Sequence, residues 1–265
     1  MTSGMVAGKL ALVTGAGSGI GRAACQILSR EGATVIAADK NYEAALATIK
    51  THTALARGDN ESGDHSAVEL DVSSSASVNN LLETTLKQYK QPPTIIINSA
   101  GLTRDNWLLK LSEQDYDTHL YNRNFYYIFS SYGNLIDNNL CCTFGKAMTE
   151  ASLSGSIVNI SSIVAKYGNM GQANYTASKS GVVGMTQTAA KELGKYNIRV
   201  NVILPGFIDT PIIKTVPDKV LNTMLKQVPL GRLGTPTEVA ELITFLASEK
   251  SSFISGASID ISGGF

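Results

Sequence analysis

Thr14-Gly15-Ala16-Gly17-Ser18-Gly19-Ile20-Gly21 is the stretch on which the fold turns. It follows a short apolar run, Lys9–Thr14, and leads into a helical stretch, Arg22–Arg30, that Gly32 stops. Glycines at such a place let the chain turn tightly and let a pyrophosphate approach the backbone. The helix that starts there presents unpaired N–H groups and the positive end of its dipole to an anion. A glycine pattern alone is weak, and a Gly-rich turn of no special purpose is the plain alternative. The strand before it and the helix after it give the pattern its weight.

The same alternation runs on. Thr34–Ala38, Ala67–Leu70, Thr94–Ile97, Ser156–Ile160 and Ile198–Leu204 are short β-branched runs, with helical stretches between most of them. Alternating strands and helices imply parallel strands joined by right-handed crossovers. Thr94-Ile-Ile-Ile97 is apolar at nearly every position, as a strand covered on both faces must be. The expected fold class is α/β: one Rossmann-type doubly wound parallel sheet of about seven strands with helices on both faces. It is expected to form a single dinucleotide-binding domain over residues 1–265, with Arg57–His65 as a polar surface loop.

Bulk properties narrow the function. The 22 basic and 22 acidic side chains cancel, and no basic tract suggests a nucleic-acid partner. No apolar run reaches the length of a membrane span. Met1–Gly8 is too short and too weakly apolar for a secretory signal and lacks an Arg-rich presequence pattern. Cys25, Cys141 and Cys142 have no CxxC spacing, and His52, His65 and His119 are scattered in polar surroundings. Neither a metal site nor a disulfide framework is expected, and a reducing compartment fits.

Asp39 stands just after the second strand, where a carboxylate can accept hydrogen bonds from adenosine ribose hydroxyls. It would repel a 2′-phosphate, so it favours NAD over NADP; Lys40 beside it opposes that preference, and Ser18 in the loop is neutral. The bland alternative for Asp39 is a polar residue closing a strand. Tyr175 and Lys179 lie four apart and so share a helix face. A nearby ammonium favours phenolate, which suits a tyrosine for proton transfer nearer neutrality. Ser162 follows the strand Ser156–Ile160, at the edge where open α/β sheets place their sites. Taken alone, Tyr175 and Lys179 would more often be surface residues of a helix.

Together these motifs resemble those of the short-chain dehydrogenase/reductase family. Thr14–Gly21 meets its TGxxxGxG pattern, and Asn98-Ser99-Ala100-Gly101 stands for its NNAG. Tyr175-Thr-Ala-Ser-Lys179 is its YxxxK, with Ser162 thirteen residues earlier, and Pro205-Gly206 precedes Ile208-Asp209-Thr210. The resemblance implies a catalytic set of Ser162, Tyr175 and Lys179. It implies a cofactor site of Gly15, Gly17, Ser18, Gly19, Ile20, Gly21, Asp39, Lys40, Asp71, Val72, Asn98, Ala100, Gly101, Tyr175, Lys179, Pro205, Gly206, Ile208 and Thr210. Ser162, Gln172 and Tyr175 would meet the substrate, with Met170 nearby.

Gly155–Val164 and Gly168–Tyr175 look most like the branch that holds 17-beta-hydroxysteroid dehydrogenases and 3-oxoacyl-[acyl-carrier-protein] reductases. That implies NAD-linked oxidation of 3-hydroxyacyl thioesters in fatty acid metabolism, or of a 17-hydroxysteroid. It also implies a homo- or heterotetramer with another short-chain reductase subunit in the mitochondrial matrix, the cytoplasm being the alternative. Gly256–Gly264 would supply the last strand, near a subunit interface.

One segment breaks the pattern. The family carries an asparagine in a helix segment like VNLxGTF, whose helix works with the lysine through water. Here Tyr116–Cys142 is longer, rich in Tyr, Asn and Phe, and reads without that motif. Asn122 and Asn124 are the candidates, and Gly133-Asn134 and Asp137-Asn138-Asn139 read as turns. Either an irregular insert at about 121–142 loops out, or foreign sequence from altered splicing or a faulty gene model replaces the helix. The second case would leave a catalytically impaired NAD-binding scaffold. Trp107 reads as packing, Lys166 as a solvated lysine, and Pro211–Leu230 as a mobile lid.

Overall fold

The computed structural model describes residues 4–55, 64–101, 105–112, 140–211, 213, 216 and 218–265. Strand β1, Leu10–Thr14, is buried at all five positions and lies in the middle of the sheet. It pairs with β2 (Thr34–Asp39) on one side and β4 (Ile95–Asn98) on the other, so that Leu12 faces Ile36 and Ile96 in register. With β3 (Ser66–Glu69), β5 (Gly155–Ile160), β6 (Ile198–Pro205) and β7 (Ser258–Ile261), the strands form a seven-stranded sheet ordered β3-β2-β1-β4-β5-β6-β7. Every pairing is parallel. The chain builds outward from β1 in one direction and from β4 in the other, so a crevice opens where their carboxyl ends diverge.

The helices are α1 (Gly19–Arg30), α2 (Tyr42–Leu55), α3 (Ser75–Tyr89), α4 (Leu140–Glu150), α5 (Ala173–Leu193), α6 (Asp218–Leu225) and α7 (Pro236–Ala247). Alternate residues of each strand point to opposite faces. Ala11, Val13, Val35, Ile95 and Ile97 therefore pack with Ala24 and Leu28 of α1 and Ile243 and Leu246 of α7. Leu12, Ile36, Ile96 and Ile157 pack on the other side with Leu81 of α3 and Phe144 and Met148 of α4. Local signals set the helix ends. Thr235 and Glu238 form a reciprocal capping box at the start of α7, behind Pro236, and the Ser74 hydroxyl accepts the Ser77 amide at α3.

The sheet and its two covered faces match the expected architecture. Strand limits move by a residue or so, and α1 starts at Gly19, taking the last glycines of the loop into its first turn. Gly256–Gly264 holds its strand at Ser258–Ile261. The expected lid contains α6.

The larger correction concerns the segment expected to be irregular to Cys142. From Leu140 onward the chain is a helix, and Leu140, Cys141, Phe144 and Met148 are buried against α3 and β4. Positions 121–139, with Asn122 and Asn124, lie outside the described residues, as do 57–63 of the polar loop.

Candidate active site

The Gly-rich loop is shaped by contacts that leave no room for side chains. A Cβ on Gly15, whose φ is +66°, would stand 2.8 Å from the Ala100 Cα. One on Gly21 would come 2.1 Å from the Gly15 carbonyl oxygen. The loop thus runs hard against the exit of β4, where the Thr14 hydroxyl accepts the Ser99 and Ala100 amides at 3.2 and 3.1 Å. At the other end Ser18 occupies the N-cap of α1 without a side-chain capping bond. First-turn N–H groups there are available to an anion, which the dipole favours. Thr210 touches the same turn: a Cβ on Gly19 would meet its Cγ2 at 3.3 Å.

Asp39 closes the adenosine side. Its Oδ2 accepts the Gly17 amide at 2.9 Å and its Oδ1 the Asn41 amide at 2.9 Å, so the carboxylate is fixed beside the loop. Lys40 does not turn toward it. The Lys40 Nζ lies 2.9 Å from Asp71 Oδ2, across the end of β3. That pairing, with two bonds from Ser73, holds the Asp71 carboxyl down at about 2. Pro205 ends β6 with Gly206 close behind it, where a Cβ would strike Ser262. Ile208 is buried and bridges to Gly234. A cradle whose glycines at 15, 17 and 21 have no room for a Cβ, a fixed acid and a helix start without a side-chain cap fit a dinucleotide. Gly15–Gly21 would hold its pyrophosphate, Asp39 its adenosine ribose, and Ile208 and Thr210 its nicotinamide end.

The catalytic end is built by pinning α5 to the end of β5. Lys179 is 4% exposed, and its ammonium donates to the Ile160 carbonyl, two residues before Ser162. The adjacent Ser161 hydroxyl donates to the Lys179 carbonyl at 2.8 Å. The same ammonium lies 5.8 Å from the centre of the half-buried Tyr175 ring. Ser162 follows directly, its oxygen accepting the Val164 amide at 3.4 Å. Lys179 thus ties Ser162's strand end to the face of α5 that carries Tyr175. The arrangement provides a hydroxyl to orient an oxygen, a phenol to exchange its proton, and a fixed cation behind the phenol.

The substrate side is less closed. Gln172 donates to Asp105 at 2.8 Å and accepts from Asn169 at 2.8 Å, while the Asn106 amide bonds the Gly171 carbonyl. The loops after β4 and β5 therefore form one wall, with Gln172 in it and Met170 exposed at its rim. Two readings are corrected. Trp107 is 60% exposed, ahead of Leu108–Lys110, a single helical turn none of whose residues is buried. Lys166 is not merely solvated: both Asp260 oxygens take its ammonium, at 2.7 and 2.8 Å.

Sequence reading also missed two things. Asn159, fully buried in β5, joins Asn98 to Thr186 of α5. A polar residue in an apolar strand was the available signal. The second is the segment thought lacking: Asn139-Leu140-Cys141-Cys142-Thr143-Phe144 fits the last six positions of VNLxGTF except for Cys142 at the glycine, and Asn138 stands at the valine. Five of these six residues open α4. Asn139 itself lies outside the described residues.

Comparison with known proteins agrees with this geometry. Residues 15–265 match a family model described as Enoyl-(Acyl carrier protein) reductase. The chain is 46% identical to a (3R)-3-hydroxyacyl-CoA dehydrogenase of Canis lupus familiaris over 266 aligned positions, covering 96% of this chain and 95% of that one. The Homo sapiens protein of the same name is 44% identical, covering 96% and 94%. A 3-oxoacyl-[acyl-carrier-protein] reductase of Thermotoga maritima is 40% identical, covering 97% of each. A crystal structure titled ribose-5-phosphate isomerase, from Brucella melitensis 16M, superposes with a TM-score of 0.83 at 32% identity, covering 99% of this chain and 94% of that one.

Proposed function

The chain belongs to the short-chain dehydrogenase/reductase family, whose dehydrogenases use NAD(P)(H), and from that premise we propose that it interconverts (3R)-3-hydroxyacyl and 3-oxoacyl thioesters, with NAD preferred over NADP. The observation that carries the reading is the buried Lys179 ammonium, bonded to the Ile160 carbonyl and 5.8 Å from the Tyr175 ring centre. Bound nicotinamide supplies or accepts the hydride at the carbinol carbon. In the reducing direction Tyr175 gives its phenolic proton to the carbonyl oxygen while the Ser162 hydroxyl donates a hydrogen bond to the same oxygen. Lys179 places its ammonium behind the phenol and would hydrogen-bond the nicotinamide ribose of the bound cofactor. In the oxidising direction the same groups run in reverse.

The thioester is favoured by the names of the relatives at 44–46% identity, which are hydroxyacyl dehydrogenases. NAD is favoured by the fixed Asp39 carboxylate and by Lys40 being drawn away to Asp71. Family resemblance further suggests a tetramer and the mitochondrial matrix. The test is turnover of acetoacetyl-CoA with NADH by the purified chain and by Tyr175→Phe. The expected result is steady turnover by the parent and a loss of at least about a hundredfold in the variant. Turnover of estradiol with none of the thioester would replace the substrate assignment. Tight NADH binding without turnover of either would leave a scaffold subunit.

A further inference from the structure

Asn159 is a polar residue in the middle of a parallel sheet, with no exposed surface. Burying an amide there is costly unless its hydrogen bonds are met. They are met by a directed chain, to which the Cys141 thiol of α4 adds a second donor to Asn159 Oδ1 at 3.5 Å. Asn98 Nδ2, at the end of β4, donates to Asn159 Oδ1 at 2.8 Å. Asn159 Nδ2 donates to Thr186 Oγ1 at 2.9 Å. Thr186 Oγ1 donates to the Val182 carbonyl at 2.7 Å, inside α5. Asn98 and Asn159 are also register partners in the sheet, and Thr186 is fully buried.

The chain joins three elements that the site needs at fixed spacing. β4 ends in the Asn98–Gly101 turn along the cofactor crevice, β5 ends in Ser162, and α5 carries Tyr175 and Lys179. Thr186 lies two helical turns beyond Lys179 and so on the same face. Three successive residues of β5's end hold α5. Asn159 does so through its carboxamide, Ile160 through its carbonyl and Ser161 through its hydroxyl. Of these three contacts, the one through Asn159 extends onward to β4, where Asn98 bonds it.

We infer that Asn159, held between Asn98 and Thr186, is a positioning residue that sets the height of α5 on the sheet and so the meeting of Ser162 with the Tyr175–Lys179 face. The inference rests on the assignment of Ser162, Tyr175 and Lys179 made above. It assigns the Asn159–Thr186 bond to the proton-transfer half of the reaction, with Asn98 as its anchor on β4.

The test uses Thr186→Val and Thr186→Ser, followed by acetoacetyl-CoA reduction with NADH across pH 5.5–9. Loss of the hydroxyl in Thr186→Val lowers kcat about tenfold and moves the pH-rate profile, because small displacements of reacting groups are expensive. NADH affinity changes less than about twofold, since the Gly-rich loop is untouched. Thr186→Ser, which keeps the hydroxyl, restores the parent profile. Should Thr186→Val fold poorly, Asn159→Leu/Thr186→Val removes both ends of the Asn159–Thr186 bond and leaves Asn98 Nδ2 the Cys141 sulfur as its acceptor. It too must show the lowered kcat. An unchanged kcat and profile in either folded variant, or NADH affinity lost in step with kcat, overturns the inference. Tyr175→Phe is run alongside. If it keeps full turnover, the catalytic assignment falls and this inference falls with it. If it is inactive while Thr186→Val is unaffected, only the positioning role falls.

Discussion

The Gly17 amide donates to Asp39 Oδ2 at 2.9 Å, and a Cβ on Gly17 would lie 2.9 Å from that same oxygen. Loop and acid are therefore one unit: the glycine is needed for the carboxylate to sit against the turn. On the proposed cofactor reading, this carboxylate would accept a ribose hydroxyl pair and repel a 2′-phosphate. Replacing it by a small neutral donor, Asp39→Ser, should raise the ratio of kcat/KM for NADPH over NADH by about tenfold or more. Steady-state kinetics with both nucleotides measure this. A ratio that does not move would remove Asp39 from the cofactor preference.

Gly21 makes a sharper case for the loop. A methyl group there would lie 2.1 Å from the Gly15 carbonyl oxygen, which is backbone and cannot swing aside. Gly21→Ala must push α1 off the turn, at a cost of about 1–3 kcal/mol by the measure of overpacked cores. The urea midpoint should fall accordingly, and NADH affinity with it. A variant of unchanged midpoint and affinity would mean that the turn is softer than its contacts indicate.

How much of this was legible beforehand follows from distance along the chain. The Gly-rich loop and the apolar strands are local patterns, and Thr34–Ala38 or Ile198–Leu204 could be read from β-branched runs alone. Tyr175 and Lys179 share a helix, so their spacing carried the reading. The Lys40–Asp71 ion pair joins residues 31 apart, and Asn98 meets Asn159 across 61 positions. No local pattern reports such pairs, which exist only because the strands are neighbours in the sheet. Trp107 shows the converse: an aromatic residue whose sequence context suggests packing is 60% exposed, beside a short turn that contains no buried residue. The start of α4 was hidden for another reason. Its NLxGTF-like run directly follows Tyr- and Asn-rich sequence, and the two were read as one irregular piece.

His65 links the fold to pH. Its Nδ1 accepts the Val35 amide at 3.0 Å, holding the chain before β3 to β2, and Nε2 faces the Ser29 hydroxyl at 3.2 Å. Partial burial holds its pKa below the usual 6.5. The unfolded chain then takes up the proton more readily than the folded one. Stability contributed by neutral His65 is complete above pH 6.5 and is lost as the pH falls from there through the lowered folded value. Protonation also removes the lone pair that receives the Val35 amide, a bond on the order of 1 kcal/mol. Urea midpoints between pH 5 and 8 should decline on the acid side in the parent and decline less in His65→Gln. Parallel pH curves for the two proteins would exclude His65 as the cause.

The last prediction concerns the asparagine of the site. Asn122 and Asn124 were candidates while the segment ahead of α4 was read as lacking the family's motif. The helix that starts at Leu140 changes that reading, because Cys141 is buried with its sulfur 3.1 Å from Asn98 Nδ2, at the end of β4. The start of α4 thus reaches the same network that ties β4 to β5. The residue directly before it in sequence is Asn139, which stands where NLxGTF has its asparagine. Asn139→Ala should lower kcat for acetoacetyl-CoA reduction by about tenfold or more, with proton transfer and not NADH binding affected. Asn122→Ala and Asn124→Ala should leave kcat within about twofold, since neither falls in the motif. Rapid-quench or steady-state rates for the three variants decide it. A loss confined to Asn122→Ala or Asn124→Ala would return the role to the longer segment and would mean that Asn139-Leu140 matches the pattern by chance.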